Sequence, residues 1–302
     1  MKDISQKSNT LRSARATATL HCLPSTIAVL HSPQGTHAEA LSIARMAAVQ
    51  AAKNTATLIP TSHQSILDHV EVEFELKEGA IHIYAEVKAS AKTSLDTEAL
   101  VAATIAATTL YCQFKAADET MEIDSVHVVE TRGGTHDVAE VDTTSLRAGV
   151  LVMSDRGARH EREDLSGKAI KEQLELLGLA VVEYKILPDE ADQIESELLR
   201  LSDDARVDLV ITTGGTGLGP RDVTPEVTAR VIEKSLPGVG EVLRTYGQAR
   251  TGYAMLSRGV AGIRGKTLII NLPGSLGAVT EAMHVLIPWI LHSFPMMKGE
   301  GH

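Results

Sequence analysis

Aromatic residues are scarce in this chain: they make up 3% of its 302 residues, and Trp289 is the single tryptophan. Platforms that stack nucleic-acid bases need flat rings, so this scarcity counts against them. Basic residues are also outnumbered, with 29 Lys and Arg against 39 Asp and Glu and a formal net charge of −10. Because excess Lys and Arg hold a polyphosphate backbone, the composition excludes nucleic acid as the expected partner. It also predicts aliphatic, alanine-rich cores.

Cysteine is limited to Cys22 and Cys112, so the chain cannot carry a disulfide framework. Neither cysteine belongs to a C-x-x-C pair or a Cys/His cluster, which argues against a structural zinc site. Apolar runs are too short for a membrane span, and the first residues hold no hydrophobic signal region. We therefore expect no membrane partner and a reduced, cytoplasmic compartment.

The length fits two domains, and the hydrophobic pattern of the first half predicts an α+β fold. Small apolar residues fall at every second position over 14–20, and a β-hairpin is predicted over 70–87 with a Glu-Gly turn. Alanine-rich helices are predicted over 37–55 and 95–117, and a last strand over 123–129. The order β-α-β-β-α-β is typical of a ferredoxin-like domain.

A polar stretch over 133–145 follows, and beyond it predicted strands alternate with predicted helices. Such alternation indicates an α/β domain with a mostly parallel sheet covered by helices on both faces. The predicted domains are therefore 1–137 and 147–302, joined by a linker over 138–146. The strands of the second half are predicted over 150–153, 181–187, 209–211 and 267–270, with helices over 167–177 and 191–201.

The most informative segment spans residues 210–226, where an apolar strand leads directly into four glycines. Their backbone N–H groups can face an anion, at the end of the strand where open α/β sheets bind ligands. Arg221 and Asp222 then suit a phosphate clamp beside a Mg²⁺ ligand or an orienting carboxylate. Thr224 and Pro225 predict a helix start, with the threonine as cap. A bare glycine turn is more often structural, and only the extended string favours a phosphate site.

The string Thr-Gly-Gly-Thr-Gly, followed by Arg-Asp-Val-Thr-Pro-Glu, resembles the MoaB/MogA family of molybdenum-cofactor biosynthesis over about 148–298. The resemblance implies that this domain binds molybdopterin and adenylylates it with Mg-ATP, the molybdopterin phosphate attacking the α-phosphorus of ATP. Family members often carry a lysine soon after Leu-Pro-Gly, whereas Ser275-Leu276-Gly277 stands there, so simple pterin binding stays open. Further matching strings are Ser154-Asp155-Arg156, Asp164-Leu165-Ser166-Gly167, Pro188-Asp189-Glu190, Ala254-Met255-Leu256-Ser257-Arg258 and Asn271-Leu272-Pro273-Gly274-Ser275.

This resemblance also implies roles for single residues. Asp189 and Asp222 are the implied catalytic and metal-holding carboxylates, and the backbone of 214–217 is expected to hold the pterin phosphate. The alternatives are a solvated charge for Asp164 and a plain N-cap for Ser166. The implied substrate-binding positions are Ser154, Asp155, Asp164, Ser166, Thr213, Gly214, Gly215, Thr216, Gly217, Arg221, Gly274 and Ser275.

The opening pattern Asp3-Ile4-Ser5-x-Lys7-x-x-Thr10-x-Arg12-x-Ala14-x-Ala16 resembles the MoaC family of cyclic pyranopterin monophosphate synthases, over about 1–137. Leu58-Ile59-Pro60-x-x-His63, Ala91-Lys92-Thr93 and Gly133-Gly134 continue the match. The family rearranges a cyclised GTP derivative, which needs acid–base groups and cations for a triphosphate. The implied site residues are His63 and Lys115 for catalysis, and Arg12, Lys92, Asp96 and Glu98 for substrate.

Four positions depart from the MoaC pattern: His37 and Thr135 replace lysines, Ser62 replaces a cysteine, and Cys112 replaces an aspartate. Cys112 lies on one helix face with Lys115, at spacing i, i+3. Its thiol either replaces the carboxylate, if a cation lowers its pKa, or is a small buried core residue. His37 is either an acid–base group near neutral pH or a surface histidine at a helix start. Altered or lost synthase activity is therefore expected over full activity.

These resemblances together predict a bifunctional-type protein that acts on small-molecule pterin and nucleotide substrates with Mg²⁺ and ATP. The alternative is a non-enzymatic scaffold, in which the first domain assembles the oligomer and the second carries pterin. Because both families form symmetric oligomers with threefold axes, a homotrimer or homohexamer is expected.

Overall fold

The computed structural model describes residues 1–31, 39–134, 141–159, 161, 163–287 and 289–299. It divides into two compact units, Met1–Asp137 and Val138–His302. Each unit has hydrophobic core residues of its own. In the described ranges, no helix combines the length and the apolar character that crossing a membrane requires.

The first unit contains a four-stranded antiparallel sheet with strand order β2-β3-β1-β4. The predicted strands and the two predicted helices are present, and two short helices accompany them. A glycine with φ of +81°, Gly79, forms the hairpin turn between the second and third strands. In chain order the elements are β1 (Thr10–His21), α1 (Pro24–His31), α2 (Ala40–Lys53), α3 (Thr55–Leu58), β2 (His69–Lys77), β3 (Ala80–Ala91), α4 (Asp96–Phe114) and β4 (Glu122–Arg132).

Alanine fills the core of this unit, as the composition predicts. The alternating residues Ala14, Ala16, Ala18 and Leu20 of β1 are buried on the sheet face that α4 covers. Helix α4 buries Ala99, Ala102, Ala103, Ala106 and Ala107, and it packs closely against α2. Small side chains allow the helices to approach each other and the sheet without leaving cavities.

The second unit contains a six-stranded sheet with strand order β6-β5-β7-β10-β9-β8. Four neighbouring strands are parallel, and the last two pair antiparallel at one edge. The mostly parallel sheet predicted for this half is therefore confirmed. The elements are β5 (Arg147–Met153), α5 (Asp155–Ala158), α6 (Ser166–Leu176), β6 (Ala180–Leu187), α7 (Ala191–Leu199), β7 (Leu209–Thr213), α8 (Thr224–Val231), β8 (Lys234–Ser235), α9 (Pro237–Gln248), β9 (Ala261–Arg264), β10 (Thr267–Leu272), α10 (Leu276–Leu286) and α11 (Ser293–Met297).

Successive residues of the parallel strands pack in two separate apolar layers, one on each face of the sheet. On β7, Leu209 and Ile211 pack in the layer that includes α6 and α10, whereas Val210 packs in the layer that includes α7 and α8. A sheet covered on both faces leaves only its strand ends open to ligands. The carboxyl ends of β5, β6, β7 and β10 lie at one edge, and each is followed by a loop with polar residues or glycines.

The end of the predicted linker packs on the second unit. Thr143 Oγ1 donates a hydrogen bond to the Leu177 carbonyl at 2.5 Å, and Leu146 is buried in the same apolar layer as Leu209. Two predicted details differ from the structure. The helix predicted over 95–117 ends at Phe114, and the one predicted over 37–55 has its first described residue at Ala40.

Candidate active site

A cavity of about 530 Å³ opens where the four parallel strands of the second unit end. Loops that are far apart in sequence thus meet at one edge of the sheet, because parallel strands bring their carboxyl ends together. Leu165 and Leu276 form exposed apolar parts of its rim. The polar and glycine lining comprises Ser154, Asp155, Arg156, Gly157, Glu163, Asp164, Ser166, Asp189, Thr213, Gly214, Gly215, Asp222, Gly274 and Ser275.

The glycine-rich loop has a backbone that only glycine adopts without strain. Gly214 and Gly215 have φ of +95° and +62°. A Cβ on Gly214 would overlap the Met153 carbonyl oxygen, and one on Gly215 would overlap Thr224 Oγ1. The N–H groups of Gly215, Thr216 and Gly217 donate no hydrogen bond within the described part of the chain. Consecutive free N–H groups of this kind form an anion-binding concavity.

Asp155 and Asp189 form two reciprocal hydrogen bonds, each from the main-chain N–H of one residue to the carboxylate of the other. The Asp155 N–H donates to the Asp189 carboxylate, and the Asp189 N–H donates to the Asp155 carboxylate, each at 3.1 Å. Arg221 donates to Asp155 from Nε at 2.7 Å and from Nη2 at 2.8 Å, and also reaches Glu190 at 2.9 Å. The expected phosphate clamp is thus an arginine already engaged by two carboxylates.

The two aspartates have opposite pKa shifts. Hydrogen bonds from Arg221, and then from the Asp189 N–H, lower the pKa of Asp155 below its usual range. Burial raises the pKa of Asp189, and the negative charges of Asp155 and Asp222 add to that increase. A cation in addition to Arg221 would therefore be favoured beside Asp189, because it would offset the negative charges of Asp189 and Asp222.

Asp222 is fixed by its own loop. Its Oδ2 accepts the Gly219 N–H at 2.7 Å. Arg258 then holds the loop main chain, donating from Nε to Gly217 O at 2.7 Å and from Nη2 to Asp222 O at 2.6 Å. Arg258 also pairs with Glu226. Sequence reasoning assigns Arg258 no role beyond its place in a matching string, and the structure places it behind the loop as a positioning residue.

Several expected substrate contacts instead connect the loops to each other. Ser166 Oγ donates to the Gly274 carbonyl at 2.9 Å, and Thr213 Oγ1 donates to the Pro273 carbonyl at 2.7 Å. Asp164 accepts the Gly167 N–H at 3.0 Å, and the Tyr184 hydroxyl donates to its other oxygen. Burial, together with that contact, raises the pKa of Tyr184. Ser166 is the first residue of this helix after the N-cap Leu165, and Asp164 accepts an N–H of its first turn.

The remaining polar positions also have local partners. Ser154 Oγ accepts the Gly157 N–H at 3.1 Å, and Ser275 Oγ accepts the Ala278 N–H at 3.4 Å, so both serine hydroxyls cap helices. The prediction that Thr224 caps α8 is wrong. The helix begins at Thr224 itself after Val223, and no side-chain cap bond is made.

A second cavity of about 250 Å³ borders the first. It lies among α9, the 3₁₀ helix Gly252–Leu256 and α10, and it shares Ser275 with the first cavity. Its walls include Leu243, Tyr246 and Ala282. An apolar space beside a phosphate cradle has the character of a pocket for a flat heterocycle.

The candidate residues of the first unit lie at two distant places. Glu98 is buried in the first turn of α4, where burial raises its pKa and the nearby Ser65 side chain partly offsets that rise. Asp96 is in the same turn, and His63 is half-buried on the same 59–68 segment as Ser65. Cys112 and Lys115 are exposed at the other end of α4, roughly 20–25 Å away at 1.5 Å per residue.

The four residues Cys112, Lys115, His63 and Glu98 therefore do not form one pocket within a single chain. Cys112 is exposed, so its interpretation as a buried core residue is wrong. Ser62 is half-buried, and among the described residues its hydroxyl reaches only the His63 carbonyl, at 3.5 Å. His37 and Thr135 lie outside the described residues.

Arg12 is buried, and its Nε donates to the Ala91 carbonyl at 3.0 Å. Its guanidinium lies where a Cβ on Gly134 would be, so glycine is required there. Lys92 Nζ donates to the Ser5 carbonyl at 3.5 Å. No carboxylate pairs with Arg12 among the described residues, which leaves its charge available for an anion.

Replacing Asp189 by asparagine is expected to raise the thermal stability of the second unit at pH 7.5. A carboxyl with a raised pKa binds protons more tightly in the folded state, so its ionised form lowers stability as pH rises above its ordinary pKa. The gain should shrink as pH falls toward 3.8, the ordinary value. Thermal unfolding of the variant at both ends of this range measures it.

Asp204→Asn is the control for that comparison, because Asp204 is exposed and makes no ion pair in the described part of the chain. It should leave the unfolding temperature unchanged at either pH. A loss of stability in Asp189→Asn at pH 7.5 would contradict the assigned charge repulsion.

The fold and site define a class: an α/β unit with a glycine-rich loop and neighbouring carboxylates at its strand ends, joined to an antiparallel α+β unit. The MoaC family matches residues 1–134, and a probable molybdopterin binding domain matches residues 149–292. The molybdenum cofactor biosynthesis bifunctional protein of Chlorobaculum tepidum is 40% identical over 302 residues, covering 100% of this chain and 96% of that protein. The chain belongs to this family of bifunctional proteins.

The second unit has relatives of its own. The molybdopterin adenylyltransferase of Helicobacter pylori strain J99 is 45% identical over 157 residues, covering 51% of this chain and 89% of that protein. A crystal structure of the molybdopterin biosynthesis enzyme MoaB from Thermus thermophilus is 42% identical, covers 51% of this chain and 97% of its own, and has a TM-score of 0.48. The matches of the two family models, over 1–134 and 149–292, confirm both family resemblances.

Proposed function

We propose that the second unit transfers the adenylyl group of ATP to molybdopterin. A phosphate oxygen of molybdopterin attacks the α-phosphorus of ATP, the bond to the β-phosphate oxygen breaks, and pyrophosphate leaves. Phosphoryl-type transfer of this kind depends mainly on positioning and on neutralising charge. The observation that carries the proposal is the set of free N–H groups at Gly215, Thr216 and Gly217, next to Asp189 and Asp222.

The cradle at 215–217 would hold a phosphate group through its N–H groups. Arg221 is held by Asp155 and Glu190, so it contributes positive charge at the edge of the site while fixing Asp155. The Asp155 main chain in turn fixes the Asp189 carboxylate. These residues would orient the reacting phosphates with Arg221 and Asp155 held in place.

The carboxylates fit Mg²⁺, which prefers oxygen ligands and is bound through one or two carboxylates plus substrate phosphates. Asp189 and Asp222 would hold the ion; burial, and then the negative charges of Asp155 and Asp222, raise the pKa of Asp189, and a bound cation would favour its ionised form. When bound, Mg²⁺ neutralises charge on the triphosphate as pyrophosphate leaves. The second cavity, which shares Ser275 with the first, is the proposed place for the heterocycle of one substrate.

The test is release of pyrophosphate from ATP labelled at the α-phosphate, with molybdopterin and Mg²⁺ present. We expect one pyrophosphate per labelled adenylyl group transferred to the pterin, and none when molybdopterin is omitted. Asp222→Ala protein sets the background. If the wild type releases no more than this background, adenylyl transfer is wrong and a pterin carrier is the remaining function.

We further propose that residues 1–137 form a ferredoxin-like domain of the cyclic pyranopterin monophosphate synthase type with an altered site, joined by residues 138–146 to a domain over 147–302. The strand order β2-β3-β1-β4 supports the fold. Arg12 pairs with no carboxylate among the described residues, which supports binding of a phosphorylated nucleotide derivative. The replacements at His37, Ser62, Cys112 and Thr135 change several polar groups together, which supports altered chemistry.

Expression of the full chain in a strain lacking the synthase tests the first unit. The Asp222→Ala form is used, so that the second unit cannot supply adenylyl transfer. We expect little or no recovery of molybdenum-cofactor synthesis. Full recovery would contradict the altered-site proposal, and an additional Arg12→Gln substitution should then abolish it if the phosphate role is correct.

We also propose that the chain works as a homo-oligomer, a trimer or a hexamer, in the reduced cytoplasm. Glu98 and Lys115 lie at opposite ends of α4, so a site that uses both must draw one of them from a second copy. Leu11 and Met46 are exposed apolar residues of the first unit that such an assembly would cover. Light scattering after gel filtration measures the assembly, and a monomer would contradict it.

A further inference from the structure

Thr224 has a buried hydroxyl that no protein group satisfies. The residue has 0% exposure, and Oγ1 makes no hydrogen bond within the described part of the chain. Its main chain is well anchored, because the Thr224 N–H donates to the Gly215 carbonyl at 3.1 Å. A buried polar atom without a partner costs free energy, so its presence calls for an explanation, such as an ion or a water molecule that bonds to it.

Neighbouring buried threonines show that this environment does not lack partners. Thr228, one turn further along α8, accepts the Asn271 side-chain amide at 2.9 Å, as does Thr212 on β7. Thr213 donates to the Pro273 carbonyl at 2.7 Å. The hydroxyl of Thr224 thus differs from those of Thr212, Thr213 and Thr228, each of which has a partner.

The unpartnered hydroxyl faces the same small space as a carboxylate. A Cβ built on Gly215 overlaps Thr224 Oγ1 and lies 3.1 Å from Asp189 Oδ1, so both oxygens border the position where a side chain at 215 would be. The negative charge of Asp222 also acts on Asp189. Glycine at 215 therefore keeps open a space between a hydroxyl and a carboxylate, beside a second carboxylate.

We propose that Thr224 is a further member of the Mg²⁺ site, its hydroxyl acting on the same ion as Asp189, directly or through a water molecule that the ion keeps. Hydroxyl and carboxylate oxygens are both ligand types that Mg²⁺ accepts, and the ion retains several of its water molecules in proteins. In the occupied site, the ion or its water molecule would bond to the Thr224 hydroxyl, which has no partner in the described part of the chain. This inference rests on the proposed adenylyl transfer and adds a residue to its cation site.

The test is the affinity for Mn²⁺, used in place of Mg²⁺, with the ATP analogue that carries a methylene group between the α- and β-phosphorus. Free Mn²⁺ is followed by its paramagnetic resonance signal. We expect Thr224→Val to weaken Mn²⁺ binding about 10-fold, the lower end of what losing a supporting group costs a metal site. Thr224→Ser, which keeps the hydroxyl, should bind Mn²⁺ within about 2-fold of the wild type.

Stability without divalent ions provides a second readout. Thr224→Val should unfold at the same temperature as the wild type or higher, because it replaces an unsatisfied hydroxyl with a methyl group of similar shape. Thr228→Val is the matched control: it should unfold at a lower temperature, since it removes a partner of Asn271, while leaving Mn²⁺ affinity unchanged.

Two results overturn the proposal for Thr224. One is a Thr224→Val protein that binds Mn²⁺ as tightly as the wild type. The other is a loss of stability as large as that of Thr228→Val, which would reveal a partner within the protein. Failure of the adenylyl-transfer proposal looks different, because the wild type itself would then bind no Mn²⁺ with the nucleotide and release no pyrophosphate.

Discussion

Asp222→Asn is expected to slow pyrophosphate release by about 10²–10³-fold, the cost typical of removing one charge-stabilising group from an active site. Asparagine keeps a side-chain oxygen that can accept the Gly219 N–H. Arg258 holds the loop by hydrogen bonds to the Gly217 and Asp222 carbonyls, and the substitution leaves both carbonyls in place. The loop should therefore keep its shape while losing the negative charge next to Asp189.

Initial rates at saturating Mg-ATP and molybdopterin measure this effect, and the unfolding temperature verifies that the fold is intact. The exposed substitution Asp204→Asn should leave the rate unchanged. A variant with an unchanged unfolding temperature and a rate within about 10-fold of the wild type would remove Asp222 from the proposed cation site.

Gly214→Ala is expected to disrupt the second unit and abolish adenylyl transfer. The residue has φ of +95°, and a Cβ there would overlap the Met153 carbonyl oxygen at the end of β5. Gly214 is also held on its other side, because its N–H donates a hydrogen bond to the Leu272 carbonyl at the end of β10, at 3.3 Å. The backbone conformation alone costs an alanine about 1–3 kcal/mol, and relieving the overlap would separate two adjacent strands of the sheet.

Calorimetric unfolding, which can resolve the transition of each unit, measures the loss. Gly238→Ala is the control, because Gly238 lies in the first turn of α9 with φ in the ordinary range, and a Cβ added there would meet no atom within 4 Å. It should be neutral or slightly stabilising, since alanine favours the helix. Equal behaviour of the two variants would contradict the close approach at Gly214.

Much of the scaffold was predictable from the spacing of apolar residues. Alternation over 14–20 and 70–87 gives three strands of the first unit, and the apolar runs that end at Met153 and Ile211 give parallel strands of the second. The glycines after β7 predict the cradle, because only a loop without side chains can direct its N–H groups at an anion. These features depend on local sequence, which a single chain displays directly.

Other features depend on contacts between distant segments, and the sequence could not reveal them. Helix α9 carries Gly238, Gly240 and Gly247, a composition with low helix propensity, and packing in the second unit overrides it. Strand β8 has two residues, too few for any period to show. The engagement of Arg221 by Asp155 and Glu190 joins three strand ends, so no spacing rule relates those residues.

Thr224 and the pair Cys112 and Lys115 show two further limits. A threonine before Pro-Glu is the usual cap signal, and only tertiary structure shows that the helix starts one residue earlier and the hydroxyl turns inward. The i, i+3 spacing of Cys112 and Lys115 is a sound helical rule. It says nothing of how far α4 separates them from Glu98.

The separation of Glu98 and Lys115 along α4 predicts which mutant alleles complement each other. In the proposed assembly, a pocket takes its Glu98 end from one chain and its Lys115 end from another. Two alleles damaged at opposite ends of the helix would then leave some pockets wholly intact in a mixed oligomer, whereas two alleles damaged at the same end would leave none. The length of a single helix thus decides which mutations in one gene complement each other.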